Sequence, residues 1–165
     1  MEIRRIGAGE WRELRELRLR ALLDAPDAFG ATYEAESADP EQEWRDWAAS
    51  ASEGSTHFVA VAADDAWHGL AMGSRWPDDP EPAHVYAMWV APDRRRVGAG
   101  RELLSAVLRW AREAGARTIE LRVTESNAAA VRFYEGCGFV PTGERSPLRG
   151  GSNVMTETMS RDLEP

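Results

Sequence analysis

The sequence predicts a mixed α/β fold in a single domain that spans residues 1–165. A chain of this length matches one ordinary domain, and its 43% of apolar residues supply enough material for a hydrophobic core without disulfides or metals. Strand-like and amphipathic helical runs alternate along the chain. One strand–helix–strand succession in its second half predicts a parallel strand pair with a right-handed crossover.

The first third of the chain predicts one strand and two helices. Residues 2–6 are expected to form an edge strand, and apolar residues then recur at helical spacing from residue 11 to residue 22 until Pro26 ends the pattern. Residues 27–40 lack periodicity and are expected to form an irregular lid or substrate loop. A second helix is predicted over residues 40–52.

The centre of the chain predicts three strands and a long helix. The strands, of which the first two form a hairpin, are expected at residues 56–63, 67–75 and 84–90. Pro77, Pro80 and Pro82 indicate a loop before the third strand. After Pro92, apolar residues repeat at helical spacing up to Gly115, which is expected to end the long helix.

The C-terminal third predicts three strands and a short helix. A strand over residues 118–123 follows the long helix and completes the parallel pair. A shorter helix is expected over residues 127–135, with Gly136 at its end, and strand-like runs at 139–144 and 154–163 complete the chain.

Composition and charge exclude several classes of protein. Twenty-eight acidic and 20 basic residues give a formal charge of −8, which argues against a nucleic-acid partner and favours a cationic small molecule. The chain lacks the ~18 continuous apolar residues of a membrane helix and begins without the apolar run of a signal peptide, so a cytoplasmic protein without a membrane partner is expected. A single cysteine, Cys137, and three histidines without ligand spacing predict no metal cofactor.

A basic segment with two glycines connects the third predicted strand to the long helix, and it reads Arg94-Arg95-Arg96-Val97-Gly98-Ala99-Gly100-Arg101. Glycines allow a tight turn that exposes backbone N–H groups beside the positive end of the helix, and such a turn can hold an anion. The adjacent arginines favour a pyrophosphate over a single carboxylate. The alternative is a plain helix start with a solvated basic run. A P-loop and the dinucleotide fingerprint are both excluded, because neither set of required residues is present.

Two motifs lie in order along the second half of the chain. Arg95–Gly100 fits the pattern Arg/Gln-x-x-Gly-x-Gly/Ala, and Asn127–Phe139 contains an asparagine, then a helix with a tyrosine, then Gly-Phe. Together they resemble the two signatures of the GNAT superfamily of N-acetyltransferases. The resemblance is specific from about His84 to Thr142, and the order of elements outside this range also fits.

The resemblance implies a GNAT fold, with a central mixed sheet of six to seven strands, about four helices and a splayed parallel strand pair that forms the CoA cleft. It implies acetyl-CoA as the acetyl donor, with its pantetheine and its thioester carbonyl against the backbone of residues 88–90 and its pyrophosphate on residues 96–101. Asn127 binds the pantetheine or caps the helix predicted over residues 127–135, and the two roles are compatible. The cofactor-binding residues implied are Met88, Trp89, Val90, Arg95, Arg96, Val97, Gly98, Ala99, Gly100, Arg101, Asn127 and Tyr134.

Tyr134 matches the family's tyrosine that protonates the departing thiolate, although a tyrosine here could also simply pack against the sheet. The acceptor amine has a reference pKa of about 10.4, so it must lose a proton before it attacks the thioester. Some relatives carry a glutamate five residues before the motif asparagine, but Arg122 occupies that position here. The remaining candidates for the base are His84, Glu34, Glu36 and Glu120.

The acceptor is the part of the reaction that the motifs do not name. Phe29, Tyr33, Glu34 and Glu36 together offer an apolar wall and an anionic hook for an ammonium group, or else form an ordinary solvated loop. We expect direct transfer to a small-molecule amine in a ternary complex. The alternatives are a protein N-terminus or lysine as acceptor, or a non-catalytic acyl-CoA sensor. The C-terminal strand offers an edge that is compatible with a homodimer.

Overall fold

The computed structural model describes residues 1–50, 54–76 and 78–163. Within these residues the strands, in chain order, are β1 (Glu2–Arg5), β2 (Ser55–Val61), β3 (Trp67–Trp76), β4 (Asp79–Val90), β5 (Thr118–Thr124), β6 (Val140–Pro147) and β7 (Met155–Asp162). The α-helices are α1 (Trp11–Asp24), α2 (Tyr33–Ser37), α3 (Glu41–Ala49), α4 (Ala99–Glu113) and α5 (Ala128–Gly136). Short 3-10 turns lie at Pro26–Ala28 and Pro92–Arg94.

The strands form one mixed sheet in the order β1-β2-β3-β4-β5-β7-β6. Every neighbouring pair is antiparallel except β4 and β5, which are parallel and joined through α4. The predicted mixed α/β sheet is therefore confirmed, with seven strands among the described residues. The right-handed crossover expected for a strand–helix–strand unit explains why the two strands run the same way.

Strands β4 and β5 stay paired over a short distance. Their register contains Ala83 opposite Ile119 and His84 opposite Glu120. Further along, β4 carries a bulge against β3, where Ala87 has a positive φ of 52°. A bulge bends a strand and increases its local twist, so β4 turns away from β5 towards their carboxyl ends. The two parallel strands thus open into a cleft.

Each face of the sheet is covered by helices and has its own apolar core. On one face α4 packs against the sheet through fully buried side chains, among them Leu103, Leu104, Val107, Ile119, Phe139 and Met159. On the other face α1 and α3 pack against β2 to β4 through Leu14, Leu17, Trp44, Val59, Met72 and Trp89. The alternation of side chains along each strand divides them between the two cores.

Two local predictions are wrong. Residues 27–40, expected to be irregular, contain a 3-10 turn and the short helix α2, which begins because the Thr32 side chain accepts a hydrogen bond from the Ala35 N–H at 3.2 Å. The proline-rich loop is also shorter than expected, since β4 begins at Asp79 and includes Pro80 and Pro82.

The prolines fit in β4 because the ladder is irregular there. The register jumps from Ser74 opposite His84 to Trp76 opposite Asp79, so the intervening residues of β4 do not all pair with β3. A proline lacks an N–H and is tolerated where no ladder bond is required. Pro77 and the end of the helix predicted over residues 40–52 lie outside the described residues.

A histidine is enclosed in the second core. His57 on β2 is 0% exposed, and neither of its ring nitrogens has a hydrogen-bond partner among the described residues. Its ring meets the edge of Trp47, with 5.8 Å between centroids. Burial lowers the pKa of His57 from 6.5 to about 4, because the charged imidazolium cannot be solvated there.

We expect His57→Leu to make folding less sensitive to acid. The folded-state pKa lies below the unfolded one, so the unfolded chain binds the extra proton between pH 6.5 and about 4, and stability falls as the pH falls through that window. Over this window the free energy of unfolding falls in both proteins as the pH is lowered. In the leucine variant it should fall by up to about 3 kcal/mol less than in the wild type. Urea unfolding at pH 7.0 and at about pH 4 measures the difference, and parallel losses in both proteins would contradict the assignment.

Candidate active site

A cavity of about 810 Å³ lies over the place where β4 and β5 separate. The sheet provides its floor through polar side chains, including Ser74, His84, Tyr86, Glu120, Thr156 and Thr158. The α1 to α3 region provides the opposite wall through Arg18, Phe29, Glu36 and Trp47, and α5 contributes Tyr134. The cavity therefore joins the N-terminal helices to the cleft of the sheet.

The C-terminal end of β4 offers backbone groups to this cleft. The Ala91 N–H donates to the His68 carbonyl on β3 at 2.7 Å, so the alternation of the strand directs the peptide groups of Val90 to the opposite edge, towards β5. The side chain of Trp89 is buried in the α1 core and that of Met88 packs against the α4 core. Residues 88–90 can thus contact a ligand through their backbone, as the resemblance implies.

The glycine segment forms the first turn of α4. Gly98 precedes the helix with a φ of 93°, which a glycine adopts without strain, and Arg96 also has a positive φ of 64°. None of the described residues accepts a hydrogen bond from the backbone N–H groups of residues 96–101. A Cβ at Gly100 would lie 3.5 Å from the side chains of Met88 and Phe133, an ordinary van der Waals contact, so packing alone does not require glycine there. The turn therefore presents free donors at the positive end of a helix.

Arg95 does not extend to this turn. Its Nε donates to the Val90 carbonyl at 2.8 Å and its Nη2 to Asp24 Oδ2 at 2.6 Å. The same carboxylate oxygen accepts the indole N–H of Trp89 at 2.9 Å. Arg95 thus ties the exit of β4 to the end of α1, which leaves Arg96 and Arg101, both exposed, as the arginines free to meet an anion.

Helix α5 carries the second motif. Asn127 Oδ1 accepts a hydrogen bond from the Ala130 N–H at 3.1 Å, so Asn127 caps the helix. Tyr134 lies two turns later and lines the cavity, with its ring 6.0 Å from that of Phe139. Burial, assisted by the nearby Cys137, raises the pKa of Tyr134, so its phenol stays protonated and can donate.

A polar row crosses the floor of the cavity. Ser74 on β3 is opposite His84 on β4, and His84 is opposite Glu120 on β5. Residues in register on neighbouring strands point to the same face, and all three line the cavity. The His84–Glu120 pair also stands at the end of the parallel register, where the cleft opens. Of the four base candidates, these two share the floor of the cleft.

The four residues predicted to contact the acceptor are divided. Phe29 and Glu36 line the cavity, whereas Tyr33 and Glu34 are exposed and lie outside its lining. Glu36 is bound by Arg18, whose Nε and Nη2 donate to its two oxygens at 2.8 and 3.0 Å. The carboxylate is therefore already paired with a cation.

The sequence reasoning missed Arg18, which is 7% exposed and whose guanidinium lies 4.8 Å from the Phe29 ring and 5.6 Å from the Trp47 ring. One signal could have found it, because Arg18 follows Leu14 by one helical turn on the stripe that faces the core. Ser74, Tyr86 and Trp47 were also missed. Single polar or aromatic residues in a strand or helix carry no such signal.

Neither a metal cluster nor a membrane span is found among the described residues. These residues contain no group of three or more His, Cys, Asp or Glu side chains placed to hold a metal ion. They also contain no helix that is both long and apolar enough to cross a membrane. Cys137 is a buried free thiol at the end of α5.

Comparison with known proteins gives consistent matches. The family model described as acetyltransferase (GNAT) family matches residues 11–139. A mycothiol acetyltransferase of Stackebrandtia nassauensis is 32% identical over 76% of this chain and 40% of its own length. A streptothricin acetyltransferase of Streptomyces lavendulae is 37% identical over 58% of this chain and 50% of its own length. The chain thus spans about half or less of these relatives.

A solved structure matches this chain over nearly the whole length of both chains. It is a putative acetyltransferase of Salmonella typhimurium, described with its cofactor acetyl-CoA, with a TM-score of 0.80 over 100% of this chain and 95% of that one. Its sequence identity is 20%, so this likeness concerns the fold.

Asp24→Ala should destabilise the protein by about 1–2 kcal/mol. The substitution removes the acceptor of the Trp89 indole N–H, and Trp89 is only 6% exposed. It also removes the ion-pair partner of Arg95. Urea unfolding measures the loss. Asp27→Ala is the matched control, since this neighbouring carboxylate is exposed and makes no described side-chain hydrogen bond. If the two variants are equally stable, the hydrogen bonds of Asp24 to Trp89 and Arg95 do not stabilise the C-terminal end of β4.

Proposed function

Because the chain belongs to the acetyltransferase (GNAT) family, we propose that it transfers an acetyl group from acetyl-CoA to the primary amine of a small molecule. The observation that carries this proposal is that Tyr134, His84 and Glu120 line one cavity where β4 and β5 separate, while the free N–H groups of residues 96–101 follow the end of β4. The names of the mycothiol and streptothricin acetyltransferases favour a small-molecule acceptor. The transfer is direct, within a ternary complex.

The donor fits the cleft by its chemistry. A pyrophosphate carries charge and many acceptor oxygens, which match the N–H groups of residues 96–101 and the exposed Arg96 and Arg101. The pantetheine amides can pair with the β4 backbone near Val90, whose carbonyl also accepts from Arg95. This arrangement would bring the thioester towards the apex of the cleft, close to the cavity floor.

The reaction requires the acceptor nitrogen to lose two protons and the departing sulfur to gain one. The acceptor arrives as an ammonium group, and His84, with Glu120 beside it, removes a proton so that the nitrogen lone pair can attack the thioester carbon. The new C–N bond forms as the C–S bond breaks, and the departing sulfur takes the proton of the Tyr134 phenol. The acylated nitrogen then carries a positive charge, and its second proton passes to the Tyr134 phenolate, which restores the phenol. Because burial raises the pKa of Tyr134, the phenol still holds its proton when the thiolate leaves.

Arg96→Ala combined with Arg101→Ala should weaken the binding of acetyl-CoA about tenfold and reduce its dependence on salt, because two charges that face the pyrophosphate are lost. Isothermal titration measures the affinity. Arg109→Ala is the control, since Arg109 is exposed near the other end of α4. Absence of binding at millimolar acetyl-CoA would overturn the proposed function.

Tyr134→Phe and His84→Gln should each lower kcat about 100-fold or more while the affinity for acetyl-CoA stays within about twofold, because each removes one proton transfer and no contact with the donor's phosphates. Thiol release in the presence of a panel of amines and short peptides measures kcat. Glu144→Gln, at an exposed position of the same cavity, should leave kcat unchanged. A panel in which only peptides react would replace the small-molecule acceptor with a protein one.

A further inference from the structure

The segment that joins α1 to α2 forms one wall of the main cavity. It consists of the 3-10 turn Pro26–Ala28 and the next two residues, and we call it the 26–30 turn. Residues 28–30 line the cavity that also contains His84 and Glu120. The position of this turn therefore helps to set the shape of the space in which the acceptor is proposed to lose its proton.

An arginine from the other end of the chain binds the carbonyls of the 26–30 turn. Arg149 lies in the loop between β6 and β7, and its Nη2 donates to the carbonyls of Pro26 and Phe29 at 2.9 and 2.8 Å. Its Nε donates to the Gly30 carbonyl at 3.2 Å. A guanidinium is planar and carries its N–H donors in fixed directions, so these bonds fix the three carbonyls relative to one another.

Two further contacts join the same parts of the chain. Thr124 on β5 is 6% exposed, and its hydroxyl donates to the Asp27 carbonyl at 2.5 Å. A Cβ at Gly30 would lie 3.4 Å from the Leu148 carbonyl, so the 26–30 turn packs closely against the β6–β7 loop. Leu148 itself lines the main cavity. This wall of the cavity is therefore built jointly by the N-terminal and C-terminal parts of the chain.

The loop that carries Arg149 is itself held in shape. The Leu148 N–H donates to the Val154 carbonyl at 2.8 Å, and the Ser152 N–H donates to the Arg149 carbonyl at 3.0 Å. The hydrogen bonds of the Arg149 guanidinium described above all go to neutral carbonyls. The arrangement thus depends on the geometry of the guanidinium rather than on the neutralisation of a carboxylate.

Phe29 is the side chain that these contacts hold in place. It is 6% exposed, it lines the main cavity, and its ring lies 4.8 Å from the Arg18 guanidinium. Arg149 is not part of the cavity lining and reaches Phe29 through the backbone carbonyl. An effect of Arg149 on a molecule in the cavity must therefore pass through the 26–30 turn and the Phe29 ring.

We propose that Arg149 is a positioning residue for the acceptor. By binding three carbonyls of the 26–30 turn, it fixes the Phe29 ring as a wall against which the body of the acceptor packs. This inference rests on the proposed function. The donor side is separate, because no described hydrogen bond joins the turn to residues 88–90 or 96–101. A wall that contacts the body of the acceptor contributes equally to ground-state and transition-state binding, so its loss raises KM and leaves kcat unchanged.

Steady-state kinetics use the member of the panel of amines and short peptides that the wild type acetylates fastest. Arg149→Ala should raise the acceptor KM about tenfold, with kcat within about threefold and the affinity for acetyl-CoA within about twofold. Arg112→Ala is the matched control. Arg112 also donates to a backbone carbonyl, that of Leu163 at 3.1 Å, but it lies on α4 outside the cavity lining, so the acceptor KM should not change.

Two further variants test the route of the effect and its chemistry. Phe29→Leu should raise the acceptor KM about fivefold, and its combination with Arg149→Ala should raise it no more than Arg149→Ala alone, because the two residues act through one wall. Arg149→Lys keeps the charge but lacks the planar set of donors, so it should restore less than about half of the lost affinity for the acceptor.

Amide hydrogen exchange of the intact protein reports on the contact without any acceptor. Arg149→Ala should accelerate exchange about tenfold in the peptide that covers the 26–30 turn, because the turn loses three of its hydrogen bonds to the rest of the protein. The peptide that covers α4 should exchange at the wild-type rate. Unchanged exchange in the turn would overturn the inference.

The combined results separate this inference from the proposed function. If exchange in the turn rises while the acceptor KM stays the same, Arg149 is a structural residue, the inference is wrong and the acetyltransferase stands. Full recovery in Arg149→Lys would reduce the effect to charge, and independent effects in the double variant would exclude the route through Phe29. If no member of the panel releases thiol from acetyl-CoA, the proposed function fails and the positioning role fails with it.

Discussion

The parting of β4 from β5 is the constraint on which the rest of the site depends. Their parallel register ends at His84 and Glu120, and the bulge at Ala87 then turns β4 away. A strand edge that loses its neighbour keeps backbone donors and acceptors that require partners. The fold thus provides an open strand edge inside the molecule, next to the first turn of α4, where further N–H groups are free. A long ligand with amides and phosphates satisfies both.

The open edge of β4 is held in position by hydrogen bonds to Asp24. This residue at the end of α1 accepts hydrogen bonds from Trp89 and Arg95, two residues at the exit of β4 that lie far from it in sequence. Charge-assisted hydrogen bonds of this kind are stronger than neutral ones. The N-terminal helix therefore fixes the position of the strand whose backbone would contact the donor.

The same helix also shapes the acceptor side. Arg18 lies between Phe29 and Trp47 and binds both oxygens of Glu36, so one buried cation joins α1, α2, α3 and the cavity wall. A buried ion pair is a costly way to gain stability, because both charges lose water. Its effect here is on position, because it holds Phe29, Glu36 and Trp47 together in one wall of the main cavity.

The sequence by itself determined the features that depend on local order. The alternation of strands and helices, the glycine turn before α4 and the motif on α5 follow from residue spacing, so the mixed sheet was predicted correctly. The cleft between β4 and β5 was expected from the resemblance of the two motifs to the GNAT signatures. The proline-rich start of β4 and the capped helix α2 were mistaken because a register irregularity and a single capping hydroxyl leave weak signals in composition.

Only the tertiary structure decided which side chains meet. Arg95 looked like a ligand for pyrophosphate because it sits in the motif, but its partner, Asp24, is 71 residues away. Glu36 looked like a free anionic hook until Arg18 was found beside it. The pairing of His84 with Glu120 depends on the register between two strands that are separated by a helix. Charge pairing, burial and strand register arise from distant parts of the chain, so local spacing cannot fix them.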